Sequence, residues 1–237
     1  MKRNVLEELN RARAAKEPVA LVTDLGTGLQ TLVAGETARG GFGIEDEHLA
    51  LVRARIAADR SGILETDEHR WFVHVFSPPL RLVIVGAVHI AQALAPMAAL
   101  GGYEVVIVDP RRAFATDVRV PGVALDHEWP DDALRALALD RRTAVVTLTH
   151  DPKLDDPALH VALRSPVFYV GSLGSRRTHA KRVARLREDG FSEAEIRRIR
   201  APVGLDIGAV TPAEIAVSIM AEVTATLRAS DEDMGAA

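Results

Sequence analysis

Seven consecutive residues after a short apolar run combine glycine, serine and arginine in the order Gly171-Ser172-Leu173-Gly174-Ser175-Arg176-Arg177. Glycines let a backbone curl until successive amides point at one anion, and arginine offers a fork of donors that matches phosphate. The segment therefore predicts a phosphate-binding loop, and its candidate ligands are Gly171, Ser172, Gly174, Ser175, Arg176 and Arg177. The alternative is that these side chains only cap the helix that follows.

A second glycine turn follows the apolar run Leu82–Val85 and reads Gly86-Ala87-Val88-His89-Ile90-Ala91. It occupies the place of the G-x-G-x-x-G fingerprint, in which the first glycine permits a tight turn and the helix start attracts phosphate. Val88 stands where the fingerprint has its second glycine, so a diphosphate would be held further out. His89 either donates to an anion or is an ordinary polar residue at a helix start.

The carboxylate of Asp109 ends the next predicted strand. It lies near the roughly 20-residue offset from Gly86 at which an acidic residue accepts the hydroxyls of a ribose. Gly86, His89 and Asp109 therefore predict a nucleotide-type site. The alternative is a plain crossover of a doubly wound sheet, in which Gly86 and Asp109 serve turn geometry alone.

Two later loops carry further polar candidates. His150 and Asp151 follow the apolar run Thr143–Thr147, at the sheet edge where ligands of open α/β folds collect. They can serve acid–base work or bind ligand oxygens, and the alternative is a turn-forming aspartate beside an ordinary histidine. Asp206 is the only charge in the glycine-punctuated segment Pro202–Ala209, which marks it for a specific contact. No catalytic residue and no metal ligand is assigned.

Composition narrows the possible classes of protein. The chain has no cysteine, which excludes disulfides, zinc–thiolate sites, Fe–S ligation and a cysteine nucleophile. Its net charge of -4 argues against a general nucleic-acid or anionic-membrane surface. The first residues lack a signal-type apolar region, and no apolar run approaches the roughly 20 residues that span a bilayer. We therefore expect a cytoplasmic protein without nucleic-acid or membrane partners.

Short aliphatic runs alternate with helical patterns from Arg81 onward, which is typical of βαβ units and a mostly parallel sheet. The predicted strands are Leu82–Val85, Glu104–Val108, Thr143–Thr147 and Val167–Val170. Helices are predicted over about 90–100, 131–139, 157–163, 178–189, 192–199 and 212–228. Capping boxes beginning at Ser192 and Thr211 mark the starts of the last two.

The first part of the chain, before Arg81, has a different pattern of apolar residues. It predicts helices over 2–16 and 45–59, a hairpin of Val19–Thr23 with Leu29–Ala34, and a strand over His69–Phe76. Ser77-Pro78-Pro79 then interrupts regular structure. We predict an α/β protein with a small N-terminal α+β domain over residues 1–79 and a Rossmann-like, mostly parallel domain over residues 80–237.

Five segments together resemble the XdhC/CoxI family, and they read VIVGAVHIAQAL, VVIVDPR, LTHDPKLDD, YVGSLGSRRTHAKR and APVGLDIGAVTPAEIAVSIMAE. The resemblance covers roughly residues 80–225. Members of that family look after the molybdenum cofactor of xanthine dehydrogenase and related molybdenum hydroxylases. The resemblance implies a non-catalytic chaperone that binds the cofactor, protects it while its terminal oxo ligand is exchanged for sulfur, and delivers it to the apo-enzyme.

The resemblance also implies the cargo and the partners. The cargo is molybdopterin or its cytosine dinucleotide, whose phosphate fits both glycine loops. The expected partners are an apo xanthine dehydrogenase or related molybdoenzyme, a cysteine desulfurase, and a second copy of this chain in a homodimer. Many family members have a cysteine in a glycine-rich amino-terminal stretch, whereas only Gly40-Gly41-Phe42-Gly43 is present here. This chain therefore supplies no thiolate to molybdenum and carries no persulfide.

Two other classes of protein stay open from the residues. An NAD(P)-dependent oxidoreductase is motivated by Gly86, Asp109 and His150, although Val88 counts against it. A regulatory module would bind nucleotide without performing chemistry or activating an apo-molybdoenzyme.

Overall fold

The structure is a computed structural model that describes residues 2–233, with only the backbone described from residue 230. Internal contacts divide the chain into two compact units, one ending at Pro78 and the other covering Pro79–Ala229. Each unit has its own sheet. Across the described residues, no helix combines the length and apolar character that crossing a membrane requires.

The amino-terminal unit is a five-stranded antiparallel sheet with two helices, in the strand order β3-β2-β1-β5-β4. Its elements are α1 (Arg3–Ala14), β1 (Val19–Asp24), β2 (Gln30–Ala34), β3 (Thr37–Gly40), α2 (Asp46–Ala57), β4 (Gly62–Glu65) and β5 (Arg70–Phe76). Alternate residues of β1 face opposite sides of the sheet, so Ala20 and Val22 join a core with α2 while Val19 and Leu21 join one with α1. The predicted hairpin of β1 and β2 is confirmed.

The second unit is built on a six-stranded parallel sheet. Its elements are β6 (Leu80–Val85), α3 (His89–Leu100), β7 (Tyr103–Val108), β8 (Ala124–Asp126), α4 (Pro130–Ala136), β9 (Thr143–Thr147), α5 (Pro152–Leu163), β10 (Tyr169–Ser172), α6 (Arg176–Glu188), α7 (Glu193–Ile196), β11 (Ile199–Arg200) and α8 (Pro212–Asp233). Aliphatic residues of β6 are buried on both faces, which is why the run reads as continuously apolar.

The strand order is β8-β7-β6-β9-β10-β11, which is the order of a Rossmann fold. Leu82 and Ile84 point into a core shared with α3 and α8, whereas Val83 and Val85 point into a core shared with α4 and α5. The order of strands along the chain reverses between β6 and β9. Ligands of open α/β sheets bind in the crevice at such a switch point, outside the carboxyl ends of the strands.

The sequence did not predict β3, β4 and β8, and several predicted elements have other bounds, of which three have a clear local cause. The strand predicted over Val167–Val170 is β10, Tyr169–Ser172, because its ladder begins where Tyr169 lies opposite Ala144. The helix predicted over 157–163 begins at Pro152, since Asp151 caps it. The helix predicted over 192–199 ends at Ile196, and the chain then forms β11, whose two residues are too few to show a period.

Candidate functional site

The carboxyl ends of the central strands lie at one level. Val85 pairs with Val108 on one side and with Thr147 on the other, and Thr147 in turn pairs with Ser172. The loops that follow these strands therefore leave the sheet side by side. They carry most of the candidate residues, so the register brings together segments that are far apart in the sequence.

The turn after β6 is closely packed against the turn after β9. Gly86 has φ +107°, and a Cβ on it would lie 2.6 Å from Thr149 Cγ2, so a side chain is excluded on both counts. Val88 is the N-cap of α3 and makes no side-chain capping bond. The first amides of α3 are therefore available to an anion, and His89, the first helical residue, is exposed beside them.

The carboxylate of Asp109 is fully buried and already bound by the protein. It accepts hydrogen bonds from Ala87 N at 2.8 Å, from Arg111 N at 3.0 Å, and from Arg111 Nε and Nη2 at 2.9 and 2.8 Å. Burial on its own raises the pKa of Asp109, but the bonds from Arg111 and Ala87 outweigh it and lower that pKa. A ribose reaches this carboxylate only if Arg111 moves away.

The turn after β9 holds His150 and Asp151 in different ways. His150 is exposed and has φ 59°, a left-handed conformation that is uncommon outside glycine. Asp151 accepts a bond from Lys153 N at 3.0 Å and so caps α5. The Asp151 N–H donates to Thr149 Oγ1 at 3.1 Å. The turn thus presents the His150 imidazole to solvent, while the Asp151 carboxylate stabilises the helix start.

A buried charge pair lies between the β9 turn and the β10 loop. Asp155 Oδ1 accepts from Thr149 Oγ1 at 2.6 Å and Thr149 N at 3.3 Å, and Arg182 Nη2 donates to Leu173 O at 3.1 Å. The two side chains approach to 3.8 Å and are only 1% and 2% exposed. Burial raises the pKa of Asp155 and lowers that of Arg182. The pair therefore links two loops of the crevice through the protein interior.

The first half of the Gly171–Arg177 loop is part of the sheet. Ser172 is buried in β10, and its Oγ lies 2.5 Å from Thr147 Oγ1. A Cβ on Gly171 would lie 2.5 Å from Val203 Cγ2, which explains the glycine by close packing. Gly171 and Ser172 therefore hold the loop in place, and their side-chain positions face the protein interior.

The second half of this loop starts α6. Ser175 caps the helix by accepting from Thr178 N at 3.2 Å, and Gly174 has φ +141°. Arg176 and Arg177 are exposed in the first turn of α6. Within the part of the chain whose side chains are described, neither guanidinium takes part in a hydrogen bond or an ion pair. These two cations and the amides of the helix start are what the loop offers to an anion.

Asp206 lies in the exposed segment between β11 and α8. Glu222 Oε2 holds the root of this segment by accepting from Gly204 N at 2.9 Å and from the Tyr169 hydroxyl at 2.6 Å. Burial and the Glu222 carboxylate raise the pKa of Tyr169, so the hydroxyl stays protonated as the donor. The strand before this segment, β11, is separated from β6 by β9 and β10, whereas the helix after it, α8, shares a core with α3.

Sequence reasoning missed Arg111, Thr149, Asp155, Arg182 and Glu222. A signal existed for two of them, because Asp155 and Arg182 each stand one helical turn before a buried leucine, Leu159 and Leu186. A charged residue on the apolar stripe of a helix indicates a buried ion pair. No comparable sequence pattern indicates the hydrogen bonds from Arg111 to Asp109.

The strand order and the polar loops at the carboxyl edge define a Rossmann-type domain with anion-directed turns. The chain belongs to the XdhC family: the family model described as the XdhC Rossmann domain matches residues 82–223. The predicted fold class and the predicted family are both confirmed.

Three curated relatives are similar over about two thirds of the chain. The uncharacterized protein YqeB of Escherichia coli K12 is 36% identical over 154 residues, which are 64% of this chain and 28% of that protein. The molybdenum cofactor insertion chaperone PaoD of the same organism is 36% identical over 158 residues, 67% of this chain and 43% of PaoD. A Bacillus subtilis protein named as a probable subunit of xanthine dehydrogenase is 32% identical over 156 residues, 65% and 45% of the two chains.

A solved structure is similar over nearly the whole chain. The crystal structure of a xanthine dehydrogenase from Bacillus halodurans has a TM-score of 0.77 and 25% identity, covering 98% of this chain and 68% of that one. The present chain spans less than half the length of each of the three curated relatives.

Proposed function

We propose that this protein is an accessory chaperone that binds the molybdenum cofactor and inserts it into a xanthine dehydrogenase or a related molybdenum hydroxylase. The relative PaoD is named as a molybdenum cofactor insertion chaperone, and the Bacillus subtilis relative as a probable subunit of xanthine dehydrogenase. The observation that carries the proposal is the pair of exposed, unengaged cations Arg176 and Arg177 at the start of α6, at the carboxyl edge of a Rossmann sheet. The pterin of this cofactor carries a phosphate, which suits such a pair.

Within this proposal, the twelve residues selected from the sequence divide into two groups. Gly86, Asp109, Asp151, Gly171, Ser172, Gly174 and Ser175 build the loops. His89, His150, Arg176, Arg177 and Asp206 are exposed and are the proposed contacts to the cargo or to the receiving enzyme. The exposed imidazole of His150 next to the switch point is the group best placed to donate to a ligand oxygen.

Sulfuration of the cofactor, if it takes place on this protein, belongs to a separate cysteine desulfurase in this proposal. The chain has no cysteine and so has no thiol on which a persulfide forms. Purified protein supplied with cofactor and a free sulfide donor should leave the cofactor unsulfurated, as measured by the activity of xanthine dehydrogenase reconstituted from it. Sulfuration by the chain alone would contradict this part of the proposal.

The proposal also includes a cytoplasmic location, a homodimer, and two separate domains divided at residue 79. The two compact units are consistent with that division. Oligomeric state is checked by light scattering of the purified protein, where a mass of twice 25.6 kDa is expected.

The decisive experiment is anaerobic co-purification with mass spectrometry of the bound pterin, followed by activation of an apo-molybdoenzyme. The wild-type protein should retain the pterin and activate the enzyme. The Arg176→Ala/Arg177→Ala variant should bind it at least ~10-fold more weakly, because two charge-assisted contacts are lost. Lys181→Ala removes an exposed cation from the same helix and should change neither result.

The other outcomes separate the alternatives. Pterin binding without activation of the apo-enzyme would contradict insertion. Tight binding of NAD(P) without pterin binding would favour the oxidoreductase, and nucleotide binding with no effect on any molybdoenzyme would favour the regulatory module.

A further inference from the structure

We propose that Arg111, Phe114 and Arg119, here called the Arg111 site, recognise a phosphomonoester dianion and exclude a free ribose diol at the carboxyl end of β7. The inference uses the crevice of the proposed function but names the class of chemical group that enters at one side of it. It rests on the contacts of the segment between β7 and β8, which sequence reasoning did not assign.

The first step is the state of Asp109. In a Rossmann site the acidic residue at the end of this strand accepts hydrogen bonds from a ribose diol. Here both carboxylate oxygens accept from Arg111, and Oδ2 also accepts from Ala87 N. The carboxylate is completely buried. A diol at this position meets a guanidinium instead of an acceptor, and a guanidinium has no lone pair to receive its hydroxyls.

The second step is the orientation of Arg111. Its bonds to Asp109 use Nε and one N–H of Nη2, which leaves the other N–H donors of the guanidinium. The side chain is 35% exposed. Its guanidinium carbon lies 4.6 Å from the ring centroid of Phe114. Arg111 is therefore fixed on two sides, by a carboxylate and by an aromatic ring, and it is partly open to solvent.

The third step is the second cation. The guanidinium carbon of Arg119 lies 5.5 Å from the same Phe114 centroid. In the amide orientation that satisfies both residues, Gln92 of α3 accepts from Arg119 Nε and Nη2 at 2.8 and 2.9 Å. Two guanidinium groups thus share one ring, and the Gln92 amide brings no negative charge to Arg119. Fixed planar guanidinium forks of this kind match the oxygens of a phosphate dianion.

The charges of the segment agree with this assignment. Arg111 and Asp109 cancel each other, Arg119 is paired with a neutral amide, and Arg112 and Asp117 are exposed at the surface. Residues 109–120 thus carry three arginines and two aspartates, while Asp151 and Asp155 also act on Arg111 from the side of the β9 turn. The same chemistry suits two sources of phosphomonoester, the terminal phosphate of molybdopterin and the 2′-phosphate of a nucleotide.

The test compares two simple probes by calorimetry, adenosine 2′,5′-bisphosphate and adenosine 5′-monophosphate with its free diol. The wild-type protein should prefer the bisphosphate by about tenfold, the effect of one charge-assisted contact. Arg111→Ser should abolish that preference and strengthen binding of the 5′-monophosphate, because Asp109 becomes free to accept the diol. Arg112→Ser, a change of the neighbouring exposed arginine, should keep the wild-type preference.

Several outcomes would overturn the proposal. They are equal binding of the two probes, preference for the diol, binding of neither probe, or an Arg111→Ser variant that keeps the wild-type preference. If Arg111→Ser fails to fold, Arg119→Ser replaces it, and it should lower the preference without improving diol binding since Asp109 stays occupied. An unchanged preference in this variant also contradicts the site.

A competition arm identifies the source of the phosphate. Anaerobic molybdopterin that displaces the bisphosphate equally well from the wild-type protein and from the Arg176→Ala/Arg177→Ala variant assigns the single pterin phosphate to the Arg111 site in place of the β10 loop. No displacement assigns the Arg111 site to a nucleotide 2′-phosphate. The proposed chaperone function is tested separately by Arg176, Arg177 and activation of the apo-enzyme. The probe preference of the Arg111 site can therefore hold while insertion fails, or the reverse.

Discussion

The β6 turn and the β10 loop are two versions of the same device, a glycine turn that leads from a parallel strand into a helix. In the β6 turn the protein supplies its own anion, since the buried carboxylate of Asp109 accepts from Ala87 N. In the β10 loop Ser175 caps the helix through its hydroxyl, and Arg176 and Arg177 face solvent. One amide of the β6 turn is thus bound by a carboxylate of the chain, whereas the β10 loop presents two exposed arginines.

This difference bears on where the proposed phosphate ligand would bind. The Asp109 carboxylate occupies the Ala87 amide of the β6 turn, so that amide is not available to a second anion, and Arg111 balances the charge of Asp109. The β10 loop has no such internal anion among its described contacts. We therefore propose the β10 loop as the contact for the pterin phosphate, with the Arg111 site as the alternative position that the competition experiment distinguishes.

The largest expected effect concerns the support beneath the β10 loop. Arg182→Met leaves Asp155 as a buried charge without a counter-ion, which should lower the free energy of unfolding by ~3–5 kcal/mol. The double variant Asp155→Leu/Arg182→Met removes both charges and should recover most of that loss. Urea denaturation measures both. In each case the loop loses its bond from Arg182 to Leu173 O, so pterin binding should stay weakened in the double variant even where stability returns.

A matched control is available on the same helix. Arg185 pairs with Asp156 at 2.5 and 3.0 Å, but its side chain is 36% exposed. Arg185→Met should therefore lower the free energy of unfolding by about 1 kcal/mol or less. Equal losses for Arg182→Met and Arg185→Met would contradict the assignment of a buried, supporting pair.

The β6 turn is tested by Gly86→Ala. The added Cβ meets Thr149 and the residue keeps φ +107°, so overpacking and backbone strain together should cost ~2–4 kcal/mol of unfolding free energy. Thermal unfolding followed by circular dichroism measures the loss. Gly43→Ala, at a position with no atom within 4 Å of the added Cβ, should be close to neutral. A neutral Gly86→Ala would mean that the two turns are not packed together as described.

The smallest expected effect sharpens the assignment of Ser175. Ser175→Ala removes the cap of α6 and should lower the free energy of unfolding by ~1 kcal/mol. Pterin affinity, measured by equilibrium dialysis, should change by less than about threefold, because the hydroxyl is bound to Thr178 and not to the ligand. A tenfold loss of affinity with unchanged stability would instead place the Ser175 hydroxyl on the ligand.

The elements with regular patterns were predictable and the interior polar contacts were not. The aliphatic run Leu82–Val85 predicted β6 correctly, since a strand buried on both faces reads as continuously apolar. The Ser192 capping box was equally clear and is present. The short strand β11 depends on pairing with β10, which no local pattern encodes.

Only part of the candidate site could be predicted from the sequence, for a related reason. The sequence marks which residues are polar, but the choice of partner depends on the folded sheet. Asp109 was interpreted as a ribose acceptor because its position fits that role, and the structure pairs it with Arg111, two residues further along. A loop segment of this kind has no period from which the direction of a side chain follows.

Four strands, β6, β7, β9 and β10, end at one level of the sheet, at Val85, Val108, Thr147 and Ser172. This arrangement has a consequence for protein engineering. The strand residues before this level pack the two cores, and the turns directly after it carry the exposed residues His89, His150 and Arg176. A loop grafted between Val108 and β8, or between β11 and α8, therefore has to keep the buried residues Ala115 and Val120, or Val203, which belong to the core shared with α3 and α8. The exposed positions of these loops are the ones that can be exchanged without removing a core contact.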